Sequence, residues 1–124
     1  MIKVENMDDL LYWYKAKIHR VIDGDTVVFS DIDLGFSVAL TGKHGRLLGI
    51  NAPEIHSKDA ETRLKAMASR DYLVSRLTGQ EVYLRSRSVD NFGRILCDVY
   101  LKDEHINESI KVNGFAVEFM VKSN

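Results

Sequence analysis

Three short segments concentrate the side chains that could do chemistry. The first is Asp23-Gly24-Asp25, inside Val21-Ile22-Asp23-Gly24-Asp25-Thr26-Val27. Two carboxylates separated by one glycine on a turn can bring their oxygens onto a hard cation such as Ca²⁺ or Mg²⁺. Taken alone, the same tripeptide reads more readily as an ordinary turn. The second segment is Arg46-Leu47-Leu48-Gly49-Ile50-Asn51-Ala52-Pro53-Glu54. Arg46 opens an apolar stretch, and its guanidinium fork suits phosphate because it donates parallel hydrogen bonds and stays charged. Glu54, held behind the bend at Pro53, is a candidate to polarise a water. The competing reading is a buried strand flanked by solvated charges. The third is Asp90-Asn91-Phe92-Gly93-Arg94, a hairpin turn followed by another arginine.

Other conspicuous residues carry less. His56 lies two residues past Glu54 and reads as a solvated loop histidine. His19 and His105 have no metal-ligand spacing. Cys97 sits in a strand pattern as a small core residue. Trp13, between Tyr12 and Tyr14, reads as packing over a barrel end, with base stacking as the alternative. Arg85 and Arg87 alternate along a strand toward Arg94. They either extend a cationic groove or lie on a solvated strand face.

The segments must be positioned by short strands. Residues 16–22 and 26–32 are β-branched runs on either side of the Asp-Gly-Asp turn, which predicts strand, turn, strand. Residues 36–40 predict another strand, Gly42-Lys43-His44-Gly45 a turn, and residues 46–50 a third strand that ends at Asn51-Ala52-Pro53-Glu54. Residues 59–77 predict the main helix, with Ala60, Leu64, Met67 and Val74 on the apolar face, Leu73 and Leu77 widening it, and Asp71 interrupting it. Asp59 and Glu61 suit its positive end, and Gly79 its stop. Residues 81–87 and 94–101 predict two more strands. Residues 107–113 predict a short helix capped by Asn107 and stopped by Gly114, followed by an apolar tail over residues 115–121. Three strands, a helix, two strands and a short helix fit an α+β chain, mainly β, built as a five-stranded Greek-key barrel of the OB type.

The chain of 124 residues has the length of one domain, and its 45% hydrophobic content suffices for one core without a metal or disulfide staple. Its single cysteine fits a reducing compartment. The acidic first ten residues do not read as a signal peptide, and no apolar run approaches the ~18 residues of a membrane span, so a cytoplasmic location without membrane contact is expected. The net charge of −1 gives no global attraction for a polyanion. Any such ligand would be held by a few placed cations.

Taken together and in order, the Ile22-Asp23-Gly24-Asp25-Thr26 turn, the Arg46-Leu47-Leu48…Pro53-Glu54 strand end and the Gly93-Arg94 hairpin resemble the motif blocks of the staphylococcal nuclease (thermonuclease) family. The resemblance runs from about residue 15 to residue 119. It leaves residues 1–14 as an N-terminal extension and residues 15–124 as the nuclease-like domain. Asn107-Glu108 and the segment from Val112 to Ala116 are similar to the family's next helix and the Gly and Ala after it. The resemblance implies a Ca²⁺-dependent phosphodiesterase, with Mg²⁺ or Mn²⁺ as alternatives. Its substrate would be DNA or RNA, preferably single-stranded, and its products would carry 3′-phosphates. It implies Asp25 as a metal ligand with Asp23 just outside it, and the Ala52 carbonyl as a backbone ligand. Arg46 and Arg94 would be the phosphate grip, and Glu54 the residue that orients the water. Phe92, with Arg85 and Arg87, is the expected substrate contact. No obligate protein partner is evident, and a monomer is expected.

The sequence departs from that pattern in three places. Asn51 stands where the family has a second metal-ligating aspartate; its amide oxygen can bind Ca²⁺ but carries no charge, so weaker metal binding is expected. Phe92 stands where tyrosine is common, and can stack on a base without donating a hydrogen bond. Met120 and Lys122 fall where family members stack bases on tyrosines, and the family's last helix is expected to be short or absent. Asn51 favours an alternative of another class, a catalytically weakened OB-fold module that binds single-stranded nucleic acid or a protein partner; the retained Arg46, Glu54 and Arg94 speak against it.

Overall fold

The computed structural model describes residues 5–119. A 3₁₀ turn (Met7–Leu10) precedes β1 (Trp13–Asp23), β2 (Thr26–Gly35), β3 (Val38–Leu47), β4 (Ile50–Asn51), α1 (Ala60–Leu77), β5 (Glu81–Val89), β6 (Ile95–Leu101), β7 (Glu104–His105), α2 (Ile106–Val112) and β8 (Val117–Glu118). β3, β2, β1, β5 and β6 follow one another as antiparallel neighbours. The sheet closes where β6 returns beside β3 in parallel, pairing Gly45, Arg46 and Leu47 with Ile95, Leu96 and Cys97. The result is a closed five-stranded mixed barrel with two helices, the OB-type α+β architecture expected from the strand pattern. Met120, Lys122 and the family's last helix lie outside the described residues.

Alternation fills the barrel. Ala16 and Ile18, Val82 and Leu84, and Ile95, Cys97 and Val99 point inward, with Phe29 and Leu47 fully buried among them. Burial pushes the Cys97 thiol up to about 12, so it remains protonated and behaves as a small apolar residue.

The third strand differs from its sequence reading. It runs unbroken through Gly42-Lys43-His44-Gly45, which had the composition of a turn. Gly45 is required there for a different reason: a Cβ would come within 2.5 Å of the Phe29 ring. The turn lies instead at Leu48-Gly49, where Gly49 has φ +81°. The β2–β3 turn falls at Phe36-Ser37, inside the segment expected to be strand. Gly35 pairs with Val38 across it, and Phe36 and Ser37 have φ of 57° and 60°. This backbone suits Asn-Gly, and a phenylalanine held there is strained by roughly 1–2 kcal/mol.

α1 also turns a different face inward. Ala66, Ser69, Leu73 and Leu77 are buried. Leu64, Met67 and Val74 are 68%, 45% and 41% exposed, and Ala60 is exposed too. The stripe set by Leu73 and Leu77 continues through small residues, because the helix approaches the barrel too closely for long ones. Asp71 therefore lies on the outer face and interrupts nothing. Burying Leu73 and Leu77 contributes roughly 1.5–3 kcal/mol each. Asp59 caps the helix, accepting from the Thr62 amide at 3.2 Å and hydroxyl at 2.6 Å, and Gly79 follows the last turn with φ +74°. In α2, Asn107 is a core residue and not the cap: His105 holds that position without a side-chain bond.

Candidate active site

The Asp23–Asp25 corner joins β1 to β2. Asp23 Oδ1 accepts from the Asp25 amide at 3.0 Å, which closes the turn. Gly24 lets α1 press against it, since a Cβ there would lie 1.8 Å from Ser69 Oγ. Ser69 is buried and its hydroxyl has no hydrogen-bond partner among the described residues. Asp25 is buried and anchored on both oxygens. Oδ1 accepts from the Thr26 hydroxyl at 2.9 Å, and Oδ2 from the Ala52 amide at 2.9 Å. The second bond ties the acidic corner to the Asn51-Ala52-Pro53-Glu54 segment. Burial and the adjoining Asp25 carboxylate push the Asp23 carboxyl up to about 6.

Arg46 enters from β3, directly opposite Thr26. Its Nη2 lies 3.4 Å from Asp25 Oδ2 and donates to Asn51 Oδ1 at 3.0 Å, while Nη1 donates to the Leu47 carbonyl at 2.6 Å. With only 13% and 12% of the two side chains exposed, the Arg46–Asp25 pair is shielded from water and is not a surface ion pair. Asn51 is placed by β4, which pairs with β8.

Arg94 follows the hairpin between β5 and β6. Asp90 Oδ1 accepts from the amides of Phe92 and Arg94, and Asp90 Oδ2 from Arg94 Nε at 2.7 Å. Desolvation is the largest single influence on the Asp90 carboxyl and pushes it up, but the backbone bonds of the turn and the Arg94 guanidinium together outweigh it and hold the carboxyl below the usual carboxylate range. Because Nε is engaged, the terminal guanidinium nitrogens remain available to an incoming anion. Asp90 is a positioning residue that the turn composition alone did not single out; its place four residues before an arginine was the available signal.

One cleft of about 460 Å³ is lined by Asp23, Asp25, Arg46, Asn51, Ala52, Pro53, Glu54, Ile55 and Arg94. All seven residues expected to catalyse or to hold metal meet there. The three expected substrate contacts do not line it. Phe92 is 85% exposed beside the cleft, with the Arg94 guanidinium 5.7 Å from its ring centre. Arg85 stands opposite Trp13 and Asp98 in the sheet, its guanidinium 5.5 Å from the Trp13 ring. Arg87 pairs with Asp98 at 3.2 Å. Neither arginine is among the residues that line the cleft.

Further residues support the cleft from behind. Asn107, buried at the start of α2, accepts from the Val99 amide at 2.9 Å. It also donates to the carbonyls of Leu48 at 2.9 Å and Cys97 at 3.1 Å. It thereby fixes the bend between β3 and β4 from which Asn51 and Glu54 project. The cleft's donors are all oxygens: the carboxylates of Asp23, Asp25 and Glu54, the Asn51 amide and the Ala52 carbonyl. That set fits a hard cation and not a soft one. Among the described residues, no three of His, Cys, Asp and Glu converge to hold a metal by themselves. Amide and backbone oxygens would have to complete the shell.

The family model described as staphylococcal nuclease homologue matches residues 45–124, which include Arg46, Asn51, Glu54 and Arg94 and begin after the Asp23–Asp25 corner. The thermonuclease of Staphylococcus hyicus is 31% identical over 104 residues, covering 81% of this chain and 56% of that protein. The thermonuclease of Staphylococcus intermedius is 30% identical over 101 residues, covering 80% and 56%. The chain thus spans about half the length of the curated relatives it matches. With the barrel, the cleft and these matches in agreement, the chain belongs to the staphylococcal nuclease family.

Proposed function

We propose that this chain is a metal-dependent nuclease that hydrolyses phosphodiester bonds in DNA or RNA, preferably single-stranded, with Ca²⁺ as its ion and 3′-phosphates as products. The observation that carries the reading is one cleft lined by Arg46, Arg94 and the carboxylates of Asp23, Asp25 and Glu54. Phosphodiester hydrolysis accumulates negative charge on the non-bridging oxygens while a water attacks in line. Arg46 and Arg94 neutralise that charge where it grows, from fixed positions that need little reorganisation. Glu54, exposed on the cleft wall, orients the water and accepts its proton. Asp25, Asp23, Asn51 and the Ala52 carbonyl would hold the cation, which supplies Lewis acidity and a more acidic bound water. Cleavage of end-labelled single-stranded DNA and RNA, with and without EDTA and across a Ca²⁺ titration, tests the reading. Loss of cleavage on chelation and recovery with Ca²⁺ are expected; cleavage unaffected by EDTA excludes the metal.

A second reading has one observation behind it. Asn51 gives its side-chain oxygen to Arg46 at 3.0 Å, so amide and guanidinium satisfy each other and leave the site short of negative charge. A module that binds single strands without cutting them would show retention of oligonucleotide and no product at any Ca²⁺ concentration.

A further inference from the structure

One arginine outside the cleft shares a sheet face with Arg46. Arg20 of β1 lies opposite Val28 of β2, and Val28 lies opposite His44 of β3. The next row toward the cleft is Thr26, opposite Arg46, which in turn pairs with Leu96 of β6. Residues opposed in a sheet share a face, and alternate residues along a strand return to it. Val27 and Leu47 are fully buried in the barrel, so Arg20, His44 and Arg46 stand together on its outside. Two residues along the strand and two strands across put the Arg20 backbone roughly 12 Å from that of Arg46. Arg46, Arg87 and Arg94 each have a carboxylate within 3.4 Å. Arg20, inside β1, faces a valine that accepts no hydrogen bond; it is exposed, and among the described residues no side chain pairs with it. The next carboxylate along β2 is Asp31, three residues beyond Val28, where Lys17 stands opposite it. β1 is irregular on both sides of Arg20, with register shifts at Ile18/Arg20 and Val21/Asp23. Such bulges re-aim side chains and gather beside active sites. A net charge of −1 draws no polyanion through the global field, which gives weight to an unpaired guanidinium on the face that leads into the cleft.

We propose that Arg20 is a phosphate contact for the substrate strand outside the scissile linkage: a single-stranded nucleic acid leaves the cleft past Arg46, crosses the outer face of β3 and β2, and gives a phosphate to Arg20. The inference rests on the nuclease reading only for the strand's place in the cleft. Between the two arginines the face carries Thr26 and Val28, which neither repel a phosphate nor compete for the guanidinium. The free terminal nitrogens of Arg20 can take two phosphate oxygens at once. The substrate this selects is an oligonucleotide several residues long, within the ~4–16 nucleotides that an OB fold covers. The contact reads the backbone and not the base, so it favours length without favouring sequence. Arg20 thereby takes the part that the sequence assigned to Arg85 and Arg87, whose neighbours occupy them.

Fluorescence anisotropy of a labelled single-stranded DNA of about 12 nucleotides, in EDTA to prevent cleavage and from about 50 to 300 mM KCl, tests this with the whole chain. Arg20→Ala should weaken binding about three- to tenfold and lower the slope of log affinity against log salt by about 0.7, the share of one phosphate on a single strand. Arg20→Lys should keep the slope, and Arg20→Glu should weaken binding more than about tenfold. Lys102→Glu, an equal change of net charge at an exposed residue of a separate cleft, should move affinity by less than about twofold. An unchanged affinity and slope in Arg20→Glu, an equal loss in Lys102→Glu, or no binding by the unaltered chain at the lowest salt would each overturn the contact. Cleavage assays of the same chains separate the two readings. A strand held through Arg20 but cut at no Ca²⁺ concentration sinks the nuclease reading and leaves the contact standing; cleavage with binding indifferent to Arg20→Glu does the reverse.

Discussion

Four arginines look alike along the sequence, and the structure divides them into two pairs. Arg46 and Arg94 occupy ends of strands, where the chain turns and side chains from separate loops converge. Arg85 and Arg87 occupy the body of β5, where side chains meet neighbours across the sheet. Arg85 is taken up by its register partner Trp13, and Arg87, at the irregularity between Ser86 and Ser88, reaches to Asp98. A cation at a strand end can serve a ligand; a cation inside a strand serves its neighbours. Within the first pair there is a second division. Arg46 compensates a buried carboxylate, whereas Arg94 is braced by Asp90 at the cleft edge.

The strongest test of that contrast removes the strand-end arginines. Arg46→Ala and Arg94→Ala should each lower turnover by about a hundredfold or more, a loss of order 3 kcal/mol in transition-state stabilisation. They should differ in stability. Arg46→Ala leaves Asp25 uncompensated and should cost on the order of 2 kcal/mol in urea denaturation, whereas Arg94→Ala should be nearly silent there. Arg46→Lys separates the effects, restoring the charge without the planar fork. Full activity in both alanine variants would end the phosphate-grip assignment.

Asn51→Asp comes next. It adds a negative charge beside Asp25, so the Ca²⁺ midpoint of cleavage, expected near the millimolar range with asparagine, should fall by roughly tenfold. Arg46 offsets part of the gain because it will pair with the new carboxylate. Identical midpoints would mean that residue 51 serves Arg46 and not the cation.

Asp90→Asn keeps the turn's shape and discharges the brace on Arg94. Turnover should fall by roughly three- to tenfold, less than for loss of Arg94 itself, and Arg94→Ala should mask the effect in the double variant. Additive losses in that cycle would give Asp90 a role of its own.

The smallest expected effect belongs to the β5 pair. Arg85→Ala and Arg87→Ala should leave cleavage within about twofold, and breaking the Arg87–Asp98 pair, half exposed on the arginine side, should cost no more than ~1 kcal/mol. A hundredfold loss in either variant would return these residues to the substrate path and erase the contrast.

Much of this was legible in the residues themselves. Alternating β-branched runs, acidic residues at a helix start and stop glycines act over a few positions, and they located β1, the first part of β2, α1, β5 and β6. The cleft's polar residues were legible because each sits beside a turn, where short-range chemistry restricts what the backbone can do. What escaped depends on neighbours distant along the chain. Gly45 reads as a turn until Phe29 packs against it. The buried face of α1 cannot be told from composition, since Ala66 and Ser69 face inward only because Gly24 allows the helix to come that close. Asn107 looks like a cap until Leu48, in the turn after β3, and Cys97 of β6 supply carbonyls for it to bridge. The fate of Arg85 likewise rests on register, which aligns residues far apart in sequence. The sequence by itself therefore determined the local elements and the inventory of reactive groups. Tertiary structure decided which groups meet, because packing and strand register are set by contacts between distant segments.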